Sequence, residues 1–364
     1  MRSGWVSSVG PYVGRFEKEV ESLLGGGRAV AVVNGTSALH LALLTVGVKP
    51  DDEVVVPALS FVATANAVRY CGAHPVFMDV DPATWGLDPV KLRDFFVREC
   101  RRRNGRLLNK STGRRVAAVL PMHTLGHPVD MDPLMEEAAR FRLPVVEDAC
   151  EALGARYKGR RIGRIGDVGC FSFNGNKVIT TGGGGMVVTD SAVLAKRVRY
   201  LSTQARDDPK EYVHNEIGYN YRLTGLQAAL GCAQLERLGE FLRRKARIAR
   251  RYREAFGRRS DVACMPAAAW AEPTNWLFTV RLLGGARPER LVERLRERGI
   301  EARRLWRPLH RLPMYKDNPA YRVEWADRLY AEAVSLPSST DLSPENQERV
   351  IREVSKFLDG RNSG

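Results

Sequence analysis

Short apolar runs that end in small or acidic residues, each followed by an amphipathic stretch, recur along most of this chain. VAVVN, ending at Asn34, reads as a strand, and Thr36-Ser37 opens a helix with Leu39, Leu43 and Val46 on one face. DDEVVVPALS is a second strand, running into Ser60-Phe61 and another helix; PVFMDVD is a third. VAAVLPMH follows a helix that ends at Cys100. LPVVED places a strand over residues 144–146 with Asp148 at its end, and residues 149–155 read as helix or loop. GCFSFN and GGMVVTD are two further short strands.

Beyond them, Thr224 and Gln227 have capping-box spacing, and Leu226, Leu230 and residues 232–235 are expected to be buried. From Leu235 a long amphipathic helix, with Leu238, Leu242, Ala249, Tyr252 and Phe256 as its apolar stripe, links two domains. The expected division is 1–235 for the large domain and 236–364 for the linking helix and a small one. WLFTVRLL, RPERLVERLRERGI, EARRLW and a last helix capped at Ser343-Pro344 build that small α/β domain.

This pattern isolates one lysine. Lys177 lies on the connection between two strands, between the Asn174-Gly175 turn and four glycines at 182–185, where backbone without side chains can pass close to a flat ligand or another chain. The GxGxxG spacing of a dinucleotide site is absent. Asp148, at the carboxyl end of a buried strand, sits where α/β sheets place ligands, though Asp is also a good helix cap. The strand, small turn and helix start at Thr36-Ser37 offer free N–H groups to an anion, as an ordinary capped helix also would. An anion cradle, an acid and an amine, in that order, are what pyridoxal phosphate chemistry requires.

The chain resembles the DegT/DnrJ family of sugar aminotransferases, and within it the LegC-type enzymes of legionaminic and related amino-sugar pathways. The resemblance rests on GWVSSVGPYVGRFE, NGTSALHLAL, SFVATANAV, PVFMDVDPATWGLDP, PMHTLGHPVDMD, VVEDACEALGA, FSFNGNKVITTGGGG and HNEIGYNYRLTGLQAALG, which span nearly the whole chain. It implies a fold-type-I pyridoxal phosphate enzyme: α/β, with a large domain around a mostly parallel sheet and a small C-terminal α/β domain. Lys177 would carry the cofactor as a Schiff base and Asp148 would pair with its ring nitrogen. Thr36, Ser37 and Ser172 would take its phosphate, and Phe61 would stack on its ring. Glu151, where Gln or His is common in the family, would reach the phenolic oxygen. Asn220 would cross to the cofactor of a neighbouring subunit, so a homodimer with shared active sites is expected, with Tyr219 and Arg222 at the same place. Trp306 and His310 would face the sugar.

The implied reaction moves an amino group from glutamate to a 4-keto-6-deoxy nucleotide sugar, in surface-polysaccharide biosynthesis. Relatives that are dehydratases carry histidine where Lys177 stands. Family members usually have a further segment ahead of GWVSS, so a truncated or misassigned start is expected.

Composition adds limits. At 364 residues, 44% hydrophobic and 27% charged, the chain is globular in type. No window approaches the apolar length of a membrane span and the first residues hold no apolar leader, so a cytoplasmic protein is expected. Six dispersed cysteines without a CxxC pair argue for buried thiols. His123 and His127 at i, i+4 have a metal-like spacing, but Gly126 and Pro128 make that stretch a loop. The net charge of +15 raises nucleic acid as a partner, and with it a DNA-binding regulator as the alternative reading. The basic run from Arg101 to Arg115 lacks interleaved aromatics and any nucleic-acid motif, so it reads as a solvated loop. The field it contributes would help collect an anionic nucleotide sugar.

Overall fold

The computed structural model describes residues 5–208 and 210–360. Residues 1–4, read above as lacking an apolar leader, and residues 361–364 lie outside the described residues. The chain runs α1 (Pro11–Leu24), β1 (Arg28–Val32), α2 (Gly35–Thr45), β2 (Glu53–Pro57), α3 (Ala63–Tyr70), β3 (His74–Met78) and α4 (Pro89–Arg98). A hairpin follows, β4 (Cys100–Arg103) and β5 (Arg106–Asn109), then β6 (Val116–Val119), α5 (Met131–Phe141) and β7 (Val146–Asp148). A small ribbon, β8 (Arg156–Tyr157) and β9 (Arg160–Arg161), precedes β10 (Val168–Ser172), β11 (Gly185–Thr189), α6 (Ala192–Ser202), α7 (Gly225–Glu236) and α8 (Leu238–Phe256).

The C-terminal part holds β12 (Val262–Cys264), β13 (Ala271–Glu272), β14 (Phe278–Leu282), α9 (Pro288–Glu297), β15 (Arg303–Arg304), β16 (Ala320–Tyr321), α10 (Trp325–Glu332), β17 (Ala333–Leu336) and α11 (Pro344–Asp359). No helix among the described residues is long and apolar enough to cross a membrane.

The large sheet has the order β1-β11-β10-β7-β6-β2-β3-β16, its two halves joined by the parallel bridges Val119 to Val145 and Met122 to Asp148. All pairings are parallel except those of β11, which runs antiparallel to both β1 and β10. The strands β2, β6, β10 and β11 are buried throughout, as a sheet covered on both faces demands. Of the covering helices α2 is the deepest, with every residue from Ser37 to Leu43 buried, so it reads as apolar all round rather than on one stripe. Past α8, a second sheet of order β12-β14-β17-β15 is wholly antiparallel, so the C-terminal part has its own sheet.

Three expectations change. The basic run is a hairpin rather than a loop: Asn104 and Gly105 both take positive φ, 50° and 73°, the backbone that a two-residue hairpin turn requires. Leu226 and Leu230 are not buried but 53% and 44% exposed, although the Thr224–Gln227 capping box forms as expected. The face of α7 that packs inward is made of Gly225, Ala228, Gly231 and Cys232, because the Phe16 ring of α1 lies so close to Gly231 that a Cβ there would sit 2.7 Å from it.

The third change concerns Arg222, expected at a shared active site. Its side chain is 10% exposed and its guanidinium donates to Ala31 O at 2.9 Å and to Glu17 at 3.1 Å. Glu17 also accepts from the Ala31 N–H at 2.9 Å and from Arg199, so the guanidinium ties α1 and β1 to the chain ahead of α7. A cation committed to a buried carboxylate and a main-chain carbonyl is a structural fastening. Arg222→Met is expected to lower unfolding free energy in urea by about 2–3 kcal/mol, below the ~3–5 kcal/mol of a fully broken buried pair because Arg199 still bonds Glu17.

Candidate active site

Three strand ends and one helix start converge on a cleft of about 330 Å³. Its lining includes Thr36, Phe61, Asp148, Glu151, Ser172, Lys177 and Trp306, seven of the residues singled out in the sequence.

Lys177 stands on the turn after β10, with its N–H bonded to Asn174 O at 3.0 Å. Its Nζ lies 3.3 Å from Glu151 Oε1 and 4.1 Å from the centre of the Trp276 ring. Trp276 Nε1 donates to Asn176 O at 2.7 Å, so the indole face that holds the amine is itself pinned to the lysine's own loop. Two close approaches set that loop against the rest of the cleft. A Cβ on Gly185, where β11 begins, would lie 2.4 Å from Asn34 O; a Cβ on Gly35 would lie 2.9 Å from both Cys150 Sγ and Ser172 Cβ. Only glycine fits at either point, and the α2 start is thereby held against the end of β10.

At that start Asn34 is the helix cap, its side chain accepting from the Ser37 N–H at 2.7 Å. The N–H groups of Gly35 and Thr36 have no intrahelical carbonyl within reach, which makes this end an anion site beside Thr36 and Ser172.

Asp148 ends β7, buried to 3% exposure. One oxygen accepts from the Thr64 hydroxyl at 2.7 Å and the other from the Cys150 N–H at 3.2 Å. Ser60 Oγ, ahead of α3, is in turn 2.6 Å from Thr64 Oγ1, so a short chain of two hydroxyls orients the acid. Its neighbour Glu147 points to the other side of the sheet, as the period of a strand requires. There it is fully buried and accepts from the N–H groups of Gly163, Ile165 and Gly166 and from His123 Nε2 at 3.1 Å. Because His123 Nδ1 accepts from the Val129 N–H, the ring proton sits on Nε2. Burial alone would raise the Glu147 carboxyl, but His123 and the N–H donors outweigh it and hold the group below its ordinary value. The expected loop thus has a use for His123, as partner to a buried carboxylate.

Glu151 titrates well away from the ordinary carboxyl range. Burial pushes its carboxyl up to about 7, against the opposing pull of the Lys177 ammonium and the Leu125 N–H, which it accepts at 2.8 Å.

Four other expected residues lie away from the lining. Ser37 is buried, with its N–H spent on Asn34, so Thr36 and Ser172 face the anion end instead. Tyr219 stacks on Tyr221 with ring centres 5.0 Å apart and meets His40 edge-on. Asn220 is exposed and bridges to Thr203, outside the cleft of its own chain. His310 sits 3.4 Å from Asp327, which also takes Arg311, and that pairing turns the ring from the cleft. Trp306 does line it, with ring centres 6.5 Å from Phe61 and 6.4 Å from Trp276.

The sequence reading missed Asn34, Thr64, Trp276 and Arg303, all of which line the cleft. Asn before a helix start is a capping signal, and Thr64 lies one helical turn beyond Ser60. Trp276 and Arg303 carry no such local signal, since they come from the C-terminal part.

A helix N-terminus at one end, a carboxylate held by a hydroxyl, a lysine on an aromatic face and an exposed Phe61 fit a phosphorylated pyridine aldehyde. Similarity to known proteins agrees. A match to the DegT/DnrJ/EryC1/StrS aminotransferase family covers residues 1–355. The chain is 38% identical over 361 residues to GDP-perosamine synthase of Caulobacter vibrioides, covering 98% of this chain and 93% of that protein. Among solved structures, the aminotransferase TlmJ of Streptoalloteichus hindustanus superposes with a TM-score of 0.89 at 32% identity, over 99% of this chain and 94% of that one. Spr1654 of Streptococcus pneumoniae, solved in its PLP form, gives 0.86 at 26% identity, over 96% and 92%. The chain therefore belongs to the DegT/DnrJ/EryC1/StrS aminotransferase family. It is an aminotransferase of fold type I, and pyridoxal phosphate is its cofactor.

Glu151 sets a pH dependence. Its folded value near 7 lies above the unfolded carboxyl value, so the folded form holds a proton that the unfolded form has lost. That stabilisation is full below about pH 4.5 and gone above 7, a loss of up to ~3 kcal/mol. In cofactor-free protein the melting temperature of Glu151→Gln relative to wild type is expected to rise from pH 5 to pH 8, read by calorimetry. A difference independent of pH would remove the assigned titration.

Proposed function

We propose that this protein transfers an amino group from glutamate to the keto group of a 4-keto-6-deoxy nucleotide sugar, giving the 4-amino sugar, in the cytoplasm and as part of amino-sugar biosynthesis for a surface polysaccharide. The observation that carries the reading is Lys177, held between Glu151 and the Trp276 face in one cleft with Asp148 and a helix start. Similarity to GDP-perosamine synthase supports a nucleotide-sugar substrate. Lysine rather than histidine at position 177 favours transamination over dehydration.

Thr36 and Ser172 with the α2 start would hold the phosphate, Asp148 would hold the proton of the ring nitrogen, and Phe61 would cover the ring. When bound, pyridoxal phosphate supplies an aldehyde that receives an amino group and a ring that accepts the electron pair left when a C–H proton departs. Lys177 moves the protons. Its amine takes one from the donor's α-carbon in the first half-reaction, and in the second it delivers one to the sugar carbon that gains nitrogen. Glu151, near neutrality and 3.3 Å away, shares a proton with that amine. Trp306 and Phe61, with ring centres 6.5 Å apart, flank the face where these transfers would occur.

We also read the protein as a homodimer. Tyr70, Leu226 and Leu230 are each more than two-fifths exposed, and the exposed Asn220 lies outside the cleft of its own chain, where a second copy can meet it.

Lys177→Ala is expected to slow both half-reactions by ~10³-fold or more, and Asp148→Asn by ~10²-fold, read as the glutamate-driven loss of visible absorbance in cofactor-loaded protein. Appreciable turnover in the lysine variant would sink the reading. Leu226→Glu combined with Leu230→Glu is expected to halve the mass measured by light scattering. An unchanged mass would place the dimer contact elsewhere.

A further inference from the structure

Among the described residues one lysine, Lys245 of α8, is buried, at 6% exposure. Its Nζ donates to Trp276 O and Ser338 O, both at 2.8 Å, and burial pushes the group down to about 8 with no carboxylate beside it to oppose the shift. An apolar side chain would fill that place without the cost of burying a charge. What the ammonium adds is two bonds aimed at two particular carbonyls.

Those carbonyls belong to the ends of neighbouring strands. Trp276 stands just ahead of β14 and Ser338 just after β17, and the Phe278 N–H ties the two ends again by donating to Ser338 Oγ at 2.9 Å. On its other side the Trp276 N–H donates to Leu125 O at 3.1 Å, and the N–H of Leu125 is the one that Glu151 accepts. The main chain of residue 276 is thus held from two directions, by the segment bonded to Glu151 and by Lys245 on the helix that links the large sheet to the C-terminal part. Asn275 takes a φ of 50°, so the indole leaves the chain at a bend whose far side is the peptide that Lys245 anchors. The indole then ends on the lysine loop, its face 4.1 Å from Lys177 Nζ and its Nε1 bonded to Asn176 O.

We infer that Lys245 is a positioning residue for the reaction: by anchoring the Trp276 carbonyl to α8, it sets the indole face against the Lys177 amine. The inference rests on the proposed role of Lys177 as the amine that holds the cofactor and moves the protons. Lys245 carries no proton in transit and acts through Trp276. With the carbonyl released, the amine keeps Glu151 as a partner but loses a fixed aromatic wall, and a misplacement of about 1 Å in such a group costs up to ~10²-fold in rate.

The test is a double-mutant cycle on wild type, Lys245→Met, Trp276→Leu and the two combined, with Lys245→Arg as the conservative variant and melting curves recorded for each. In cofactor-loaded protein the rate constant for glutamate-driven loss of the visible band is separated from the glutamate concentration that half-saturates it. In cofactor-free protein the rate of Lys177 acylation by an amine reagent is followed by peptide mass spectrometry. Lys245→Met is expected to lower the rate constant about tenfold with half-saturation nearly unchanged, and to raise Lys177 acylation about threefold or more. Lys245→Arg recovers most of both. In the Trp276→Leu background the same Lys245→Met change is expected to alter either quantity by less than about twofold, because the side chain through which Lys245 acts is gone. Should Lys245→Met not fold, Lys245→Gln, a shorter donor, takes its place in the cycle.

Two results would overturn the inference. One is a Lys245 variant that leaves the rate constant unchanged or fails to raise acylation; the other is an effect as large without Trp276 as with it, which would mark a direct charge effect or a general loosening. Borohydride reduction of the loaded wild type, which fixes the cofactor to whichever amine holds it, is followed by peptide mapping to separate the failures. Cofactor on Lys177 with an additive cycle removes only the positioning role. Cofactor on another residue removes the proposed role of Lys177 and the inference with it.

Discussion

Glu147 is the constraint beneath the site. A carboxylate with no exposure at all has to find hydrogen bonds for both oxygens, and it finds four, three of them from the loop at residues 163–166 and one from His123. That demand fixes β7 relative to the loop on one side and to the segment after β6 on the other. Asp148, the next residue, faces the cleft from the same strand end. Its position is inherited from a buried charge that takes no part in the chemistry. The hydroxyl of Thr64 then needs only to orient a carboxylate already in place.

The same economy runs through the rest of the cleft. β11 turns back antiparallel between β1 and β10, which brings the glycine at its start against the main chain of Asn34 and so joins the lysine loop to the anion cradle. Trp276, from the C-terminal part, meets that unit through one hydrogen bond and one ring face. The buried helix α2 carries the cradle into the core, where its start has little freedom to shift.

Much of this was legible in the chain because it is local. A lysine between two apolar runs, an acid at a strand end and a small-residue helix start are each short patterns, and the family resemblance ordered them. What was not legible depends on what a residue meets across space. Arg222 stands in a polar aromatic turn that reads like a ligand site, and only the fold reveals Glu17 beside it. Leu226 and Leu230 have a helix's apolar spacing, but the inward face of α7 had to be made of glycine and alanine to let Phe16 approach. His310 was read from its neighbourhood in sequence, whereas Asp327 decides its direction. The hairpin at Asn104-Gly105 is the reverse case: a plain Asn-Gly turn signal stands in the sequence within the basic run.

The cleft draws its lining from two parts of the chain, the large sheet and the C-terminal part. Lys177, Glu151 and Asp148 come from the large sheet and its connections, while Arg303 and Trp306, which line the same cleft, come from chain that builds its own antiparallel sheet. Side chains of that second sheet can therefore change at the rim of the cleft without disturbing the strand ends that hold Asp148 and the lysine loop.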